Sequence, residues 1–544
     1  MSELPQSGES GRRPIGTTAY LLVTFVSLAL GLPGLGSTGL VRMEGMVAAI
    51  AGEMLASGDF LVPRLYGELY TYKPPLLYWL AAAAFHLTGS TSEWALRLPV
   101  VLSSALLSLA TVRFVGRIAG RRTGVVAGLA SVSGALFVQK SRIAEFDAPL
   151  ACFVGLAVLA ACDALVRTGS STRHETVSWL LCYLALTAAF LTKGLPALLV
   201  FIPGLVLAAV GSGRLRDLTR GPHLCGAALF ISLAATYLLS AYATAGPALF
   251  AQPLDEARLR GVGWSLEAVS LSLLKPALIW AFFLPWSLPL FWARPKGGSA
   301  IDRLLRVAWC FLLAGVVAFM LVPTHEPRYY LPLAAPFAVL GAVGVERMAL
   351  STVAARQRLP AGLGFLVGGL TVALALWPEA LVTSALGRVV LFAFGAATLG
   401  VASRAIARQT GPAHLTAVLL LTALSSWGAE TLAFGPRRAL ARDQRQAALA
   451  LAPSLAGVDT VWTPGPAGSA GKYSALLHYL DRRVQTFGAG EQPPPGAHCL
   501  IRTVDLERLG AARLERLSLI AEATGSRWTY GLYLATSGSA PGGS

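Results

Sequence analysis

Apolar stretches of about twenty residues recur along this chain from Tyr20 to the region of Phe434. Each is close to the length that crosses ~30 Å of hydrocarbon as a helix. The stretches begin near Tyr20, Trp94, Thr123, Ala148, Ser178, Pro196, Leu224, Leu274, Leu304, Tyr329, Ala361, Ala385 and His414, which makes about thirteen crossings by this length criterion. Only 13% of the 544 residues are charged and 55% are hydrophobic, whereas a soluble globule needs about 25% charged residues to solvate its surface. The net charge of +16 is dispersed in short clusters between the apolar stretches, so it reads as membrane topology and not as a nucleic-acid surface.

The basic clusters set the expected orientation. If the apolar stretch Pro74–Leu87 lies along the membrane surface without crossing, six clusters fall on the cytoplasmic side, where lysine and arginine concentrate. These are Arg113/Arg117/Arg121/Arg122, Arg167/Arg173, Arg214/Arg216/Arg220, Arg294/Lys296/Arg303/Arg306, Arg347/Arg356/Arg358 and Arg404/Arg408. The same parity puts Gly36–Tyr72, Lys140–Asp147, Gly246–Leu273 and Val322–Arg328 on the outer face, and these segments hold most of the carboxylates that topology leaves unexplained. After Phe434 the hydropathy falls and turns such as Pro493-Pro494-Pro495 appear. Short β-like runs at Thr460–Trp462, His498–Val504 and Trp528–Ala535 alternate with helical patterns at Ser474–Arg483 and Leu506–Ala523.

The expected fold class is therefore an all-α polytopic membrane protein with membrane-surface helices in its first outer loop and a small C-terminal α/β periplasmic domain. The corresponding segments are a cytoplasmic N-terminus over 1–18, a transmembrane domain over 19–433 with an outer loop at 36–93, and a soluble domain over 434–544. The expected setting is a membrane that the chain crosses many times, with the C-terminal domain outside.

In the first outer loop, the spacing of apolar residues from Val47 to Leu55 predicts a short amphipathic helix that Gly58-Asp59 ends. Lys73 stands directly before Pro74-Pro75. Two prolines start a helix well and hold the preceding residue extended, so the ammonium is presented at a defined place. A point charge with three donors suits an anionic lipid head. No Walker loop, dinucleotide fingerprint or Ser/Cys nucleophile motif occurs, and the six cysteines have no metal-ligand or redox spacing. His325 and Glu326 are adjacent, so they point apart, and no third ligand is near them in sequence.

The ordered motifs Glu53-Met54-Leu55-Ala56-Ser57-Gly58-Asp59, Pro63-Arg64, Lys73-Pro74-Pro75-Leu76, Arg97-Leu98-Pro99, Arg142 with Asp147-Ala148-Pro149-Leu150, Lys193-Gly194, Pro285-Trp286 and Arg328-Tyr329-Tyr330-Leu331-Pro332 resemble the C-type integral-membrane glycosyltransferases. Among these, the chain looks most like the bacterial lipid A 4-amino-4-deoxy-L-arabinose transferases, relatives of the protein O-mannosyltransferases. The resemblance runs from Leu21 to about Gly341. It implies transfer of a sugar, with inversion, from a polyprenyl-phosphate donor to an acceptor hydroxyl or phosphate of a lipid A-like envelope glycolipid at the outer membrane face. It also implies Asp147 and Glu44 as catalytic acids, and Lys73, Arg142, Arg258, Arg328, Tyr329 and Tyr330 as substrate-binding residues.

The chain departs from that pattern in the first loop. Where the family carries an Asp-Glu pair followed by Arg and Tyr, this sequence has Met43-Glu44 and then Met46-Val47. Tyr72 replaces the acid that precedes Lys-Pro-Pro and helps hold a divalent metal. No metal ligand set is expected, and a divalent metal stays a doubtful alternative. Two other classes stand beside the enzyme: a catalytically silent relative that binds lipid or a partner, and a transporter. A transporter calls for charged residues at mid-span, whereas here they gather at span ends.

Overall fold

The computed structural model describes residues 15–167, 169, 171–260, 266–322, 326–350, 354–376, 385–407, 411–429, 431–432, 444–465, 472–488, 491–506, 509, 514–524 and 529–536. The chain forms two compact units, one of Met1–Pro33, Val100–Leu238 and Ala257–Phe434, the other of Gly34–Pro99, Leu239–Glu256 and Gly435–Ser544. Along the chain run the helices α1 (Thr17–Gly31), α2 (Arg42–Ser57), α3 (Leu76–Thr88), α4 (Glu93–Ala119), α5 (Arg121–Ser133), α6 (Ala135–Ser141), α7 (Asp147–Val166), α8 (Thr172–Lys193) and α9 (Leu195–Gly211). They continue as α10 (Gly221–Ala245), α11 (Ala248–Arg260), α12 (Leu266–Phe282), α13 (Ala300–Met320), α14 (Ala334–Ala349), α15 (Ala354–Leu376), α16 (Ala385–Ala407) and α17 (Pro412–Ala429).

A helix stands at each of the expected apolar stretches, and the protein has the character of a multi-pass membrane protein. Among the described residues, 8 helical segments are long and apolar enough to cross a bilayer: Glu93–Ala119, Asp147–Val166, Thr172–Lys193, Gly221–Ala245, Ala300–Met320, Pro327–Ala349, Arg358–Leu376 and Leu386–Ala407. The stretch near Thr123 illustrates why the number is smaller than expected. Its helix α5 has only 13 residues, about 20 Å at 1.5 Å per residue. It is built for close packing, since a Cβ on Gly124 would come within 2.6 Å of the Gly116 Cα in α4.

The first unit is built around α7, in which every residue except Phe153 and Leu156 is buried. This helix packs against α8, α9, α13, α14 and the 3-10 turn Pro327–Leu333. A helix that is apolar on all sides has no outward face, and α7 accordingly occupies the core while α10 and α15 keep most of their apolar side chains on the outside.

The end of α7 distal to Asp147 is basic. Asp163 accepts from Arg167 Nε at 2.8 Å and from Ser178 Oγ at 2.9 Å. Arg214 donates to the Arg167 carbonyl at 2.7 Å and Arg303 to the Val166 carbonyl at 2.9 Å. Arg347 pairs with Asp302 at 2.7 Å, and Arg122 with Glu346 at 3.2 Å. Arginines far apart in sequence thus collect at one end of the bundle.

The second unit joins the first outer loop to the C-terminal region. A five-stranded sheet has the order β4-β3-β5-β7-β6, made of β3 (Thr460–Pro464), β4 (Arg483–Phe487), β5 (His498–Arg502), β6 (Leu517–Thr524) and β7 (Thr529–Ala535), after the hairpin strands β1 (Arg64–Leu65) and β2 (Glu68–Leu69). The helix Ser474–Leu480 crosses between the parallel strands β3 and β4, as a parallel pair requires.

One expectation fails in this region. Leu517–Ala523 reads as helical because Leu, Ala and Glu favour helix, yet it forms the edge strand β6, antiparallel to β7 with a bulge between Leu519 and Ala521. Hydrogen bonding to β7 decides its conformation, and an edge position tolerates the mixed pattern.

Candidate active site

The first unit brings three acids and three cations together at the start of α7. Asp147 is the first residue of α7 and Lys193 the last of α8; consecutive antiparallel helices place such a start and end side by side. Lys193 Nζ donates to Asp147 Oδ1. Arg328 lies at the start of the 3-10 turn Pro327–Leu333. Its Nε is 3.7 Å from Asp147 Oδ2 and 3.7 Å from Glu326 Oε2, and its Nη1 is 3.8 Å from Glu145 Oε2. Glu145 also accepts from Lys140 Nζ at 2.8 Å.

Tyr329 supplies an aromatic face to both cations. Lys193 Nζ is 4.4 Å from its ring centroid and Arg328 Cζ 5.6 Å, within the range of a cation–π contact. Tyr330 is buried between Phe319 and Phe282, with ring centroids 5.4 and 6.2 Å away, and its hydroxyl has no hydrogen-bond partner among the described residues. The constellation therefore offers a carboxylate held through one oxygen, while the second oxygen is beyond hydrogen-bond reach of Arg328. Such an oxygen is placed to accept a proton, beside a guanidinium whose buried Nε–H makes no hydrogen bond among the described residues.

Arg142 serves a different end. It donates to the carbonyls of Leu30 at 3.0 Å and Gly31 at 3.2 Å, and to that of Pro33. These carbonyls terminate α1, and a guanidinium is favourable there because it meets both the orphan acceptors and the negative end of the helix dipole. These contacts give Arg142 a capping role beside the expectation that it binds substrate. Arg258 falls in α11, and its side chain lies outside the described residues, as do Thr324 and His325.

In the second unit, Glu44 is not placed as a base. Its side chain is fully buried and receives Arg97 Nε at 2.7 Å and Nη2 at 2.8 Å, while the Val41 N–H donates to Oε2 at 3.0 Å. Arg97 also donates to the carbonyls of Leu35 at 2.6 Å, Thr38 at 3.0 Å and Gly39 at 3.0 Å. A bidentate pair so enclosed secures the loop and leaves no approach for an acceptor hydroxyl.

Lys73 is held in place from both sides. Before it, the Gln252 side chain of α11 accepts from the Thr71 N–H at 2.7 Å and donates to the Leu69 carbonyl at 3.0 Å. After it, Pro74-Pro75 lead into α3. The Lys73 ammonium itself donates to the Tyr72 carbonyl at 3.1 Å.

The motifs around Glu53 build this loop. Gly58 ends α2 at φ 73°, and the Glu53 carboxylate accepts from the Gly67 N–H at 2.9 Å. Tyr66 and Gly67 both have positive φ, 57° and 83°, which is the two-residue hairpin turn that matches strand twist.

Two partners of Asp147 and Arg328 received no role from sequence. Lys193 closes an apolar span as a snorkelling lysine does, and its Lys-Gly motif was the one available signal; Glu145 had none. Among the described residues, no group of three or more His, Cys, Asp or Glu is placed to hold a metal ion.

Residues 72–239 match the family model described as dolichyl-phosphate-mannose-protein mannosyltransferase. An undecaprenyl phosphate-alpha-4-amino-4-deoxy-L-arabinose arabinosyl transferase of Pectobacterium carotovorum is 27% identical over 329 residues, 58% of this chain and 56% of that protein. One from Sodalis glossinidius is 35% identical over 190 residues, 35% of this chain and 33% of its own length. The aligned segment thus spans about half, or less, of these curated relatives. The crystal structure of ArnT from Cupriavidus metallidurans bound to undecaprenyl phosphate superposes with a TM-score of 0.73 at 19% identity, covering 95% of this chain and 98% of that one.

The chain has the fold of ArnT. Its apo state superposes as well, with a TM-score of 0.70. The resemblance to C-type integral-membrane glycosyltransferases read from the motifs is borne out by sequence and fold together.

Proposed function

We propose that this protein is an inverting glycosyltransferase of a bacterial inner membrane, moving a sugar from a polyprenyl-phosphate donor to an envelope glycolipid of the lipid A class at the outer face. The observation that carries this reading is the Asp147 carboxylate set between Lys193 and Arg328 at one end of the core helix, in a fold shared with a protein crystallised with undecaprenyl phosphate.

The chemistry needs little else. Asp147 takes the proton of the acceptor hydroxyl as its oxygen bonds to the anomeric carbon. The bond from that carbon to the phosphate oxygen breaks, and its electron pair leaves with the polyprenyl phosphate. Phosphate is already a competent leaving group, so the protein has to supply a base and fixed cations where charge accumulates. Arg328 takes the phosphate in this reading, with the Tyr329 and Tyr330 hydroxyls as neutral donors, while Lys73 and Arg258 stay expectations from the sequence for the same role. The basic end of the bundle faces the cytoplasm, and the C-terminal domain lies outside.

The test is incubation of the purified chain with a panel of polyprenyl-phosphate sugars and outer-leaflet acceptors, with products read by mass spectrometry. Asp147→Asn should lower turnover by roughly 10²–10⁴-fold, the range of a lost general base, while the variant still binds undecaprenyl phosphate. Full activity in Asp147→Asn would remove the proposed base.

A further inference from the structure

Helix α12 carries a lysine that this mechanism does not use. Lys275 is fully buried, and its ammonium donates to the backbone carbonyls of Phe319, at 2.9 Å, and Val322. Phe319 lies in the last turn of α13 and Val322 just past its end. A cation there satisfies orphan acceptors and meets the favourable end of the helix dipole. Burying an ammonium against carbonyls is nonetheless costly, and a glycine or asparagine ends a helix at far smaller expense. The lysine therefore does more than cap.

What lies beyond Val322 gives the reason. Arg328 follows six residues later, and Tyr330 two after that. Phe282 stands seven residues after Lys275 and hence on the same face of α12, with its ring 6.2 Å from that of Tyr330. Phe319, whose carbonyl accepts a hydrogen bond from the Lys275 ammonium, also touches Tyr330 through its ring, at 5.4 Å. One face of α12 thus grips the chain on both sides of Arg328. The guanidinium is held only loosely by its own contacts, since its buried Nε makes no hydrogen bond among the described residues and its ion pairs with Asp147, Glu326 and Glu145 are 3.7–3.8 Å long. The backbone that carries it therefore shares in setting its position.

We propose that Lys275 is a positioning residue that, by anchoring the end of α13, fixes Arg328 relative to Asp147 and so sets affinity for the anionic head of the lipid donor. This rests on the reading of Arg328 as a phosphate ligand. The experiment uses the full chain in nanodiscs, with radiolabelled undecaprenyl phosphate as the probe and hydrogen exchange at Leu321, Val322 and Tyr329–Leu333 as a second readout.

Lys275→Met should weaken binding by about tenfold, within the span of measured couplings between neighbouring residues, and speed exchange at those amides. In an Arg328→Ala background it should weaken binding no further, and Lys275→Arg should restore most of the loss. Independent, multiplying losses from Lys275→Met and Arg328→Ala would overturn the proposal, as would unchanged exchange or unchanged binding in Lys275→Met. If the wild-type chain binds no undecaprenyl phosphate, the proposed function fails. In that case faster exchange in Lys275→Met still supports the anchor, and unchanged exchange refutes it.

Discussion

Asp147 and Asp163 stand at opposite ends of the same helix, both buried, and only one is placed for chemistry. Asp163 is saturated: Arg167 and Ser178 donate to it, and His174 Nε2 lies 2.8 Å from its second oxygen. Asp147 is engaged at one oxygen by Lys193 and has the other 3.7 Å from Arg328. Glu44 belongs with the saturated kind. Glu44→Gln should leave Arg97 buried without its counter-charge, and breaking such a pair costs about 3–5 kcal/mol. The expected outcome is a lower yield of folded protein and a lower melting temperature; a catalytic Glu44 would instead give a normally folded protein with no turnover. Sequence could not separate these cases, because Arg97 lies 53 positions from Glu44 and nothing local announces their pairing. Asp147 was legible because an acid at the start of an apolar span has a cost that must be justified.

At the scale of elements, the motif strings of the first loop turn out to be scaffolding. The Glu53 to Arg64 run makes a helix stop and a hairpin, and Gln252 clips the strand that leads to Lys73. Helix α2 also crosses the helix Ser474–Leu480 so closely that a Cβ on Gly45 would lie 2.4 Å from the Ala475 nitrogen. Helices with an apolar period were readable in advance; β4 and β6 were not, since each has a single buried residue and strand pairing supplies the missing information. The sheet carries its own pH dependence. Burial alone would raise the Asp505 carboxyl, but hydrogen bonds from Arg502 and Tyr473, with Arg502's charge, outweigh it and hold its pKa below the usual range. A depressed carboxylate stabilises the fold above its unfolded pKa, about 3.9, and that contribution is lost as pH falls through the folded value. Hydrogen-exchange protection of β5 and β7 should therefore drop below about pH 4, and Asp505→Asn should show weaker protection at pH 7 with a flatter acid profile.

For the whole molecule, the argument turns on the two ends of α7. Asp147 and Asp163 are 16 residues apart along it, about 24 Å of helix, which is most of the hydrocarbon thickness. Arg167, Arg214, Arg303, Arg347 and Arg122 are linked through hydrogen bonds, ion pairs and adjacent residues at the Asp163 end. These come from five of the six clusters that the charge rule assigns to the cytoplasm, and the orientation proposed above accordingly puts Asp147 at the outer face. The C-terminal sheet is separately proposed to lie outside. This is open to direct measurement in a chain whose exposed Cys225 is replaced by Ala. Ser518 on β6 and Thr219 in the turn after α9 are both exposed. In intact cells, Ser518→Cys should react with an impermeant maleimide once the outer membrane is permeabilised, and Thr219→Cys should react only after the inner membrane is opened. Labelling in the reverse order would place Asp147 in the cytoplasmic leaflet and separate the carboxylate from a donor presented outside.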